Sequence, residues 1–302
     1  MKLNLRAWVA AFRFRTLPLV IAGWLVGITL ASMQAQINYT TSILTLLTAV
    51  LLQVLSNLAN DYGDGVSGVD QHREGEARMV QKGLIKPEHM RLAMVICSIA
   101  SFLSGLLLIY LVFPNDYLQA IIFVSIGVAG IVAAIKYTVG ENPYGYAGFG
   151  DVFVFLFFGI ALVFGTFYLQ TKIFDWQILM PAASIGLFSV GVLNVNNIRD
   201  INSDKAAGKQ SIPVRIGRKR AVIYHIFLLQ GGMLLSMIYA VINYRSFWCL
   251  LFIPINIFFL RNVTAVSEKP YNQLDPYLKQ VAISTLFFSF LFSFGQYLSW
   301  VL

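Results

Sequence analysis

The sequence predicts an all-α, polytopic membrane protein, and three observations carry that reading. Of 302 residues only 12% are charged and 58% are hydrophobic, where a soluble domain is about 25% charged. Mean hydropathy is +0.71, and the apolar residues gather into runs near the ~20 residues that a spanning helix needs. The runs do not alternate apolar with polar at period two, which argues against a transmembrane barrel. The whole chain, 1–302, reads as one transmembrane domain.

The elements follow in order, with boundaries approximate. Residues 3–14 place Leu5, Trp8, Val9 and Phe12 on one helical face, with Arg6 and Arg13 elsewhere, the pattern of a short helix lying on the membrane surface. Arg13 and Arg15 interrupt the apolar character before the first span, so no cleavable signal is expected. Nine spans are then predicted, at 16–33, 42–60, 90–113, 117–137, 151–170, 177–198, 221–242, 246–263 and 279–301. Charged loops are expected at 61–88 and 199–220, and a Gly- and Tyr-rich loop at Thr138–Gly150. Cys97 and Cys249 fall inside apolar runs and read as small core residues.

With nine spans, all but two of the 22 Lys and Arg fall on the side of the N-terminus. Only Lys172 and Arg245 fall on the other. That asymmetry predicts a cytoplasmic N-terminus. It also explains the net charge of +8 as loop topology, so a lipid bilayer is the expected partner and nucleic acid is not. Lys82, Lys86, Lys219 and Arg220 are read as topology signals. The two halves echo each other weakly, each with an acid cluster closing an even-numbered span ahead of a basic loop.

Those acid clusters are the chemistry-bearing feature. The first is N-L-A-N-D-Y-G-D at Asn57–Asp64, and the second is N-N-I-R-D-I-N-S-D at Asn196–Asp204. Acids beside membrane helices are costly and mark function by default. Asn57, Asp61 and Asp64 are spaced i, i+4, i+7, one narrow helical face. Asn196, Asp200 and Asp204 are spaced i, i+4, i+8, a broader one. No His or Cys accompanies them, which disfavours zinc. Oxygen donors of this kind suit Mg²⁺, held by one or two carboxylates with substrate phosphates completing the shell. Two such clusters on one side of the membrane suit a metal–diphosphate complex. Arg73, Arg78, Lys82, Lys136, Arg199, Lys205 and Lys209 lie near them, and guanidinium or ammonium groups bind phosphate oxygens. Asp70, Glu74 and Glu76 read as solvated loop acids, and His225 as a packed residue. Tyr137, Tyr144 and Tyr146 are interfacial aromatics or pocket faces for a cation. A secondary transporter is the rival reading, since it too uses intramembrane acids and internal repeats.

The paired motifs, N-x-x-x-D-x-x-D at Asn57–Asp64 and D-x-x-x-D at Asp200–Asp204, resemble those of the UbiA-type intramembrane prenyltransferases. Further stretches resemble the branch acting on 1,4-dihydroxy-2-naphthoate in menaquinone synthesis. They are R-M-V-Q-x-G at Arg78–Gly83, Y-T-x-G at Tyr137–Gly140, Gly148–Gly159, N-N-x-R-D at Asn196–Asp200 and L-D-P-Y-L-K at Leu274–Lys279. The resemblance implies a nine-helix bundle around a central cavity open sideways to lipid, in the cell inner membrane, with its active site toward the cytoplasm. It implies Mg²⁺-dependent transfer of a polyprenyl chain from polyprenyl diphosphate to 1,4-dihydroxy-2-naphthoate, giving demethylmenaquinone with loss of diphosphate and CO2. A 4-hydroxybenzoate or homogentisate acceptor would share the same metal site. By position, Asp61, Asp64, Asp200 and Asp204 take the catalytic metal–diphosphate role. Asn57, Arg78, Lys136, Asn196, Arg199 and Lys205 become diphosphate contacts, and Tyr62, Tyr137, Tyr144 and Tyr146 contacts of the acceptor or prenyl group. One departure is Glu76-Ala77, where related sequences carry Gly-Pro.

Overall fold

A computed structural model describes residues 4–67 and 78–302, so Asp70, Arg73, Glu74, Glu76 and Ala77 lie outside the described residues. The helices are α1 (Leu5–Phe12), α2 (Leu17–Ser32), α3 (Tyr39–Ser67), α4 (Pro87–Val112) and α5 (Tyr117–Lys136). There follow α6 (Gly150–Thr171), α7 (Leu179–Arg199), α8 (Ile201–Ala206), α9 (Ile212–Ile242), α10 (Asn256–Glu268) and α11 (Asp275–Val301). Among the described residues nine helical segments are long and apolar enough to cross a membrane, in the order expected.

Local chemistry sets most of the ends. Asn4 caps α1 by accepting the Ala7 N–H at 3.2 Å, and Asp116 caps α5 through Gln119 N–H at 3.1 Å. Prolines open α4, α9 and α11, where the missing N–H costs nothing. Three expectations are corrected. First, α1 turns Ala7 and Ala11 inward against α3, with Trp8 and Phe12 half-buried beside them, while Leu5 and Val9 are exposed. Two alanines one turn apart let the helix backbones approach more closely than the Leu and Val face would. Second, α3 runs on to Ser67, so the loop expected from 61 begins later. Third, α9 starts at Ile212 and carries a break at Gly217 (φ 77°, ψ 161°), a backbone region open to glycine. The basic residues Arg215, Arg218, Lys219 and Arg220 are why the sequence places the start of the span near 221. The π-helical turns at Phe155–Phe164 inside α6 leave no mark in an all-apolar stretch.

The most buried span is α7, which packs on α2, α6, α9 and α11. Phe188 at its centre meets Phe259 at 4.7 Å and Phe288 at 4.9 Å between ring centroids. A second group forms where α4 and α5 pack on α3. Helix α6 leans on α2 and α7 while α5 leans on α3 and α4, and residues of both helices line the cavity that lies between the two groups. Both cysteines are buried thiols.

Candidate active site

The cavity has a volume of about 1040 Å³. Its walls are apolar, with Leu52, Ile122, Phe153, Phe157 and Phe164 among the lining side chains, and its polar residues include Arg13, Arg15, Gln53, Asn57, Asn60, Asp64, Arg78, Asn196 and Lys209. Gln53 lies midway along α3, and the others come from the adjoining end of α3, the ends of α2 and α7 and the neighbouring loops. A transporter site near the bilayer midplane is not the pattern seen.

The first motif lies on the last turns of α3. Asp64 is buried; its Oδ1 accepts the Tyr146 hydroxyl at 2.8 Å and its Oδ2 pairs with the buried Arg78 guanidinium. Asp61 is equally buried, and its two oxygens accept the N–H groups of Met79 and Val80, both at 2.9 Å. Asp61 thus anchors the Arg78–Val80 segment that delivers Arg78 to Asp64. Asn57 donates to Phe12 C=O at 2.9 Å and Thr16 Oγ at 3.1 Å, tying α3 to the start of α2. The expectation of one ligand face through Asn57, Asp61 and Asp64 therefore needs adjustment. The cavity face runs through Gln53, Asn57, Asn60 and Asp64; Asp61, about 100° round from Asn60, looks toward 79–80 instead.

The second motif is not one continuous helix. α7 ends at Asp200 (φ −94°, ψ 11°), and Asp204 stands on the short α8. Arg199 clasps Asp200 with Nε and Nη2, at 2.7 and 2.8 Å, and also donates to Asn196 Oδ1 at 2.8 Å. Lys209 lies 3.4 Å from Asp204, which also accepts Ser211 Oγ–H at 3.2 Å.

Two bridges join the motifs into one site. On one side Asp64 binds Tyr146, and the Lys209 ammonium sits 5.6 Å from the Tyr146 ring centroid while pairing with Asp204. On the other, Asn57 holds Thr16, and neighbouring Arg15 pairs with Asp275 at 3.2 Å. Asp275 in turn pairs with Arg199. Of these pairs Arg199–Asp200 is buried and bidentate, which makes it directional, whereas the Asp275 side chain is 43% exposed.

The other expected residues divide. Tyr137 and Tyr144 line the cavity, meeting edge-on at 5.4 Å, and Tyr144 stacks on Phe153 at 4.0 Å. Burial, and secondarily the neighbouring Tyr137, raises the Tyr144 phenol above its ordinary value. Asp61, Asp200, Asp204, Arg199 and Tyr146 sit behind the residues that line the cavity, and Lys136, Lys205 and Tyr62 stand apart from it as well. Lys136 and Lys205 are exposed, and Tyr62 packs into the α3–α4 core. Of the two lysines that the sequence placed near the second cluster, Lys209 pairs with Asp204, because the turn at Gly208 (φ 75°) folds residue 209 back on the carboxylate, while Lys205, expected as a diphosphate contact, is exposed. Sequence reasoning did not single out Arg13, Arg15, Asn60 or Asp275. Their available signals were basic residues ahead of the first span, the i, i+4 spacing of Asn60 and Asp64, and the acid that opens α11.

Among the described residues no three His, Cys, Asp or Glu side chains converge as a metal cage. The donors are instead carboxylate and amide oxygens at a cavity that also presents cations. That set fits a hard ion whose remaining ligands come from a phosphorylated substrate.

Comparison with known proteins agrees. A model described as the UbiA prenyltransferase family matches residues 16–300. The 1,4-dihydroxy-2-naphthoate octaprenyltransferase of Escherichia coli is 39% identical over 296 residues, 97% of this chain and 96% of that protein. That of Haemophilus influenzae is 40% identical over 298 residues, with 97% and 96% covered. In solved structures, the apo UbiA homolog from Aeropyrum pernix K1 superposes with TM-score 0.68 at 14% identity, covering 98% of each chain. The UbiA homolog from Archaeoglobus fulgidus bound to GPP and Mg²⁺ does so with 0.66 at 14% identity, covering 95% of this chain and 99% of that one. A nine-span bundle, a polar site at the end of an apolar cavity and a family match over nearly the whole length lead to one conclusion: the chain belongs to the UbiA prenyltransferase family.

Proposed function

We propose that this enzyme transfers a polyprenyl chain from polyprenyl diphosphate to 1,4-dihydroxy-2-naphthoate, with loss of diphosphate and CO2, at the cytoplasmic face of the cell inner membrane. The observation that carries the proposal is the joining of two Asp/Asn motifs, with their Arg and Lys partners, at one end of a large apolar cavity. The relatives named above, at about 40% identity along the whole chain, support the naphthoate as acceptor. The distribution of Lys and Arg supports a cytoplasmic site.

Asp64, Asp200 and Asp204 would hold Mg²⁺, with Asp61 contributing through the second lone pairs of its oxygens. Bound there, Mg²⁺ neutralises charge on the departing diphosphate. Arg15, Arg78 and Lys209 line the cavity and offer N–H donors to the diphosphate oxygens, with Arg199 behind them. As the ester C–O bond lengthens, positive charge grows on the allylic carbon. The faces of Tyr137, Tyr144 and Phe153 are placed to stabilise it, and the apolar walls keep water from capturing it. The electron-rich naphthoate ring attacks at the carbon bearing its carboxylate. A C–C bond forms, the C–O bond breaks to release diphosphate, and CO2 leaves with its bonding pair returned to the ring. The isoprenoid tail lies along the apolar wall between α5 and α6.

Purified protein in detergent, given a polyprenyl diphosphate, Mg²⁺ and a panel of aromatic acceptors, tests this by mass spectrometry of the products. Prenylated naphthoquinol lacking the carboxylate is expected. A product from 4-hydroxybenzoate or homogentisate alone would reassign the acceptor, and full turnover in EDTA would remove the metal from the scheme.

A further inference from the structure

Asp151 is a buried acid that the reaction above does not use. It sits in the first turn of α6, only 6% exposed, and its Oδ2 accepts the Tyr224 hydroxyl of α9 at 2.9 Å. The residue before it, Gly150, abuts Tyr137: a Cβ built there would lie 3.0 Å from the Tyr137 hydroxyl oxygen. Phe153, two residues on, carries the Tyr144 stack. Asp151 therefore stands behind the aromatic wall formed by Tyr137, Tyr144 and Phe153.

The rest of that loop is held separately. Tyr146 C=O accepts Gln210 N–H at 2.7 Å, and Ala147 C=O accepts Arg215 Nη2 at 2.6 Å. The backbone that carries the Tyr146 hydroxyl to Asp64 is thus held by Gln210 and by Arg215 of α9, without help from Asp151. The two ends of the loop are fastened differently: Gln210 and Arg215 hold the carboxylate end, while at the aromatic wall the Tyr144 hydroxyl donates to Ala133 C=O at 2.8 Å and Tyr224 holds Asp151 beneath Phe153.

We propose that Asp151 and Tyr224 are positioning residues for the aromatic acceptor, and that their hydrogen bond sets the wall against which the acceptor ring lies. This rests on the reaction proposed above. The pair has no hydrogen bond to either acid motif, so its loss loosens the acceptor, and with it the aromatic faces that meet the allylic carbon, while the grip on the diphosphate stays.

The test uses Tyr224→Phe, Asp151→Ala and Asp151→Asn in the full-length protein, with KM measured separately for naphthoate and for polyprenyl diphosphate. Tyr224→Phe removes one hydroxyl and keeps the ring. Asp151→Asn keeps an oxygen that accepts the Tyr224 hydroxyl. Tyr224→Phe and Asp151→Ala are expected to raise the acceptor KM about five- to tenfold, the factor a single lost hydrogen bond is worth. Combining the two should add little to either alone. Asp151→Asn should restore most of the acceptor affinity, and the donor KM should stay within about twofold throughout. Equal rises in both KM values with a lowered thermal midpoint would overturn the proposal in favour of a purely structural bond, as would an unchanged acceptor KM in Tyr224→Phe. Absence of naphthoate turnover in the unaltered protein would instead sink the reaction on which the proposal rests.

Discussion

Gly63 lies between Asp61 and Asp64, and its replacement by alanine probes how tightly the site is built. A Cβ there falls 2.5 Å from Thr138 C=O oxygen, and 2.8 Å from both Thr138 C and Thr138 Oγ. Ordinary contact begins near 3.4 Å, so the Thr138 backbone must retreat by about 0.9 Å, the difference between these distances. Backbone gives way less easily than a side chain. The retreat opens the bond from Thr138 Oγ to Ala59 C=O, now 2.9 Å, and carries Tyr137 away from α3. Overpacking of this kind costs ~1–3 kcal/mol. Displacement of about 1 Å between reacting groups lowers a rate by about a hundredfold. Gly231→Ala is the control: its Cβ meets only Leu187 Cδ1 at 3.5 Å, and in a helix it should stabilise by ~0.4–1 kcal/mol. Thermal unfolding in detergent and steady-state prenyl transfer measure both effects. Gly63→Ala with an unchanged midpoint and kcat/KM within about twofold of the unaltered protein would refute the close approach of α3 to the Tyr137–Thr138 turn.

Three further outcomes follow from the geometry. Lys209→Met should abolish most donor binding and destabilise by ~3–5 kcal/mol, because the buried Asp204 loses the ammonium that lies 3.4 Å away, whereas Lys205→Met should change donor KM by less than about twofold; titrating both with donor separates them. Tyr146→Phe removes the hydroxyl that Asp64 Oδ1 accepts and should cost ~1.5–3 kcal/mol of stability, the range for a hydrogen bond to a charged group, read by denaturant unfolding. The raised Tyr144 phenol keeps its proton in the folded state at alkaline pH where the unfolded chain begins to lose it. Its contribution is therefore complete below the ordinary tyrosine value of about 10 and is lost above it. Stability should fall less steeply above that pH in Tyr144→Phe, and an identical alkaline slope would contradict the burial.

Much of this was legible in the residues. Nine apolar runs gave nine spans in the right order, because a membrane helix must satisfy its own backbone and so announces itself by length. The two acid motifs were equally visible, since Asp and Asn stand out against that background. Individual orientations were less legible. Helical spacing put Asp61 with Asn57 and Asp64, and only the folded Met79–Val80 segment shows which way it turns. The choice of Lys209 over Lys205 depends on a glycine turn, and the part played by Arg15 depends on Asp275, 260 residues away. Contacts between distant segments carry no local signature. The π-helical turns of α6 are hidden because every residue of Phe155–Phe164 is apolar or glycine.

The central claim is that Asn57–Asp64 and Asn196–Asp204 form one diphosphate site. Binding of a non-hydrolysable polyprenyl diphosphate analogue in Mg²⁺, measured by calorimetry on the unaltered protein, Asp64→Asn, Asp204→Asn and the double variant, tests it most directly. The account predicts that each single change removes most of the affinity and that the double variant loses little more, as for groups acting on one ligand. Full affinity in either single variant would contradict it.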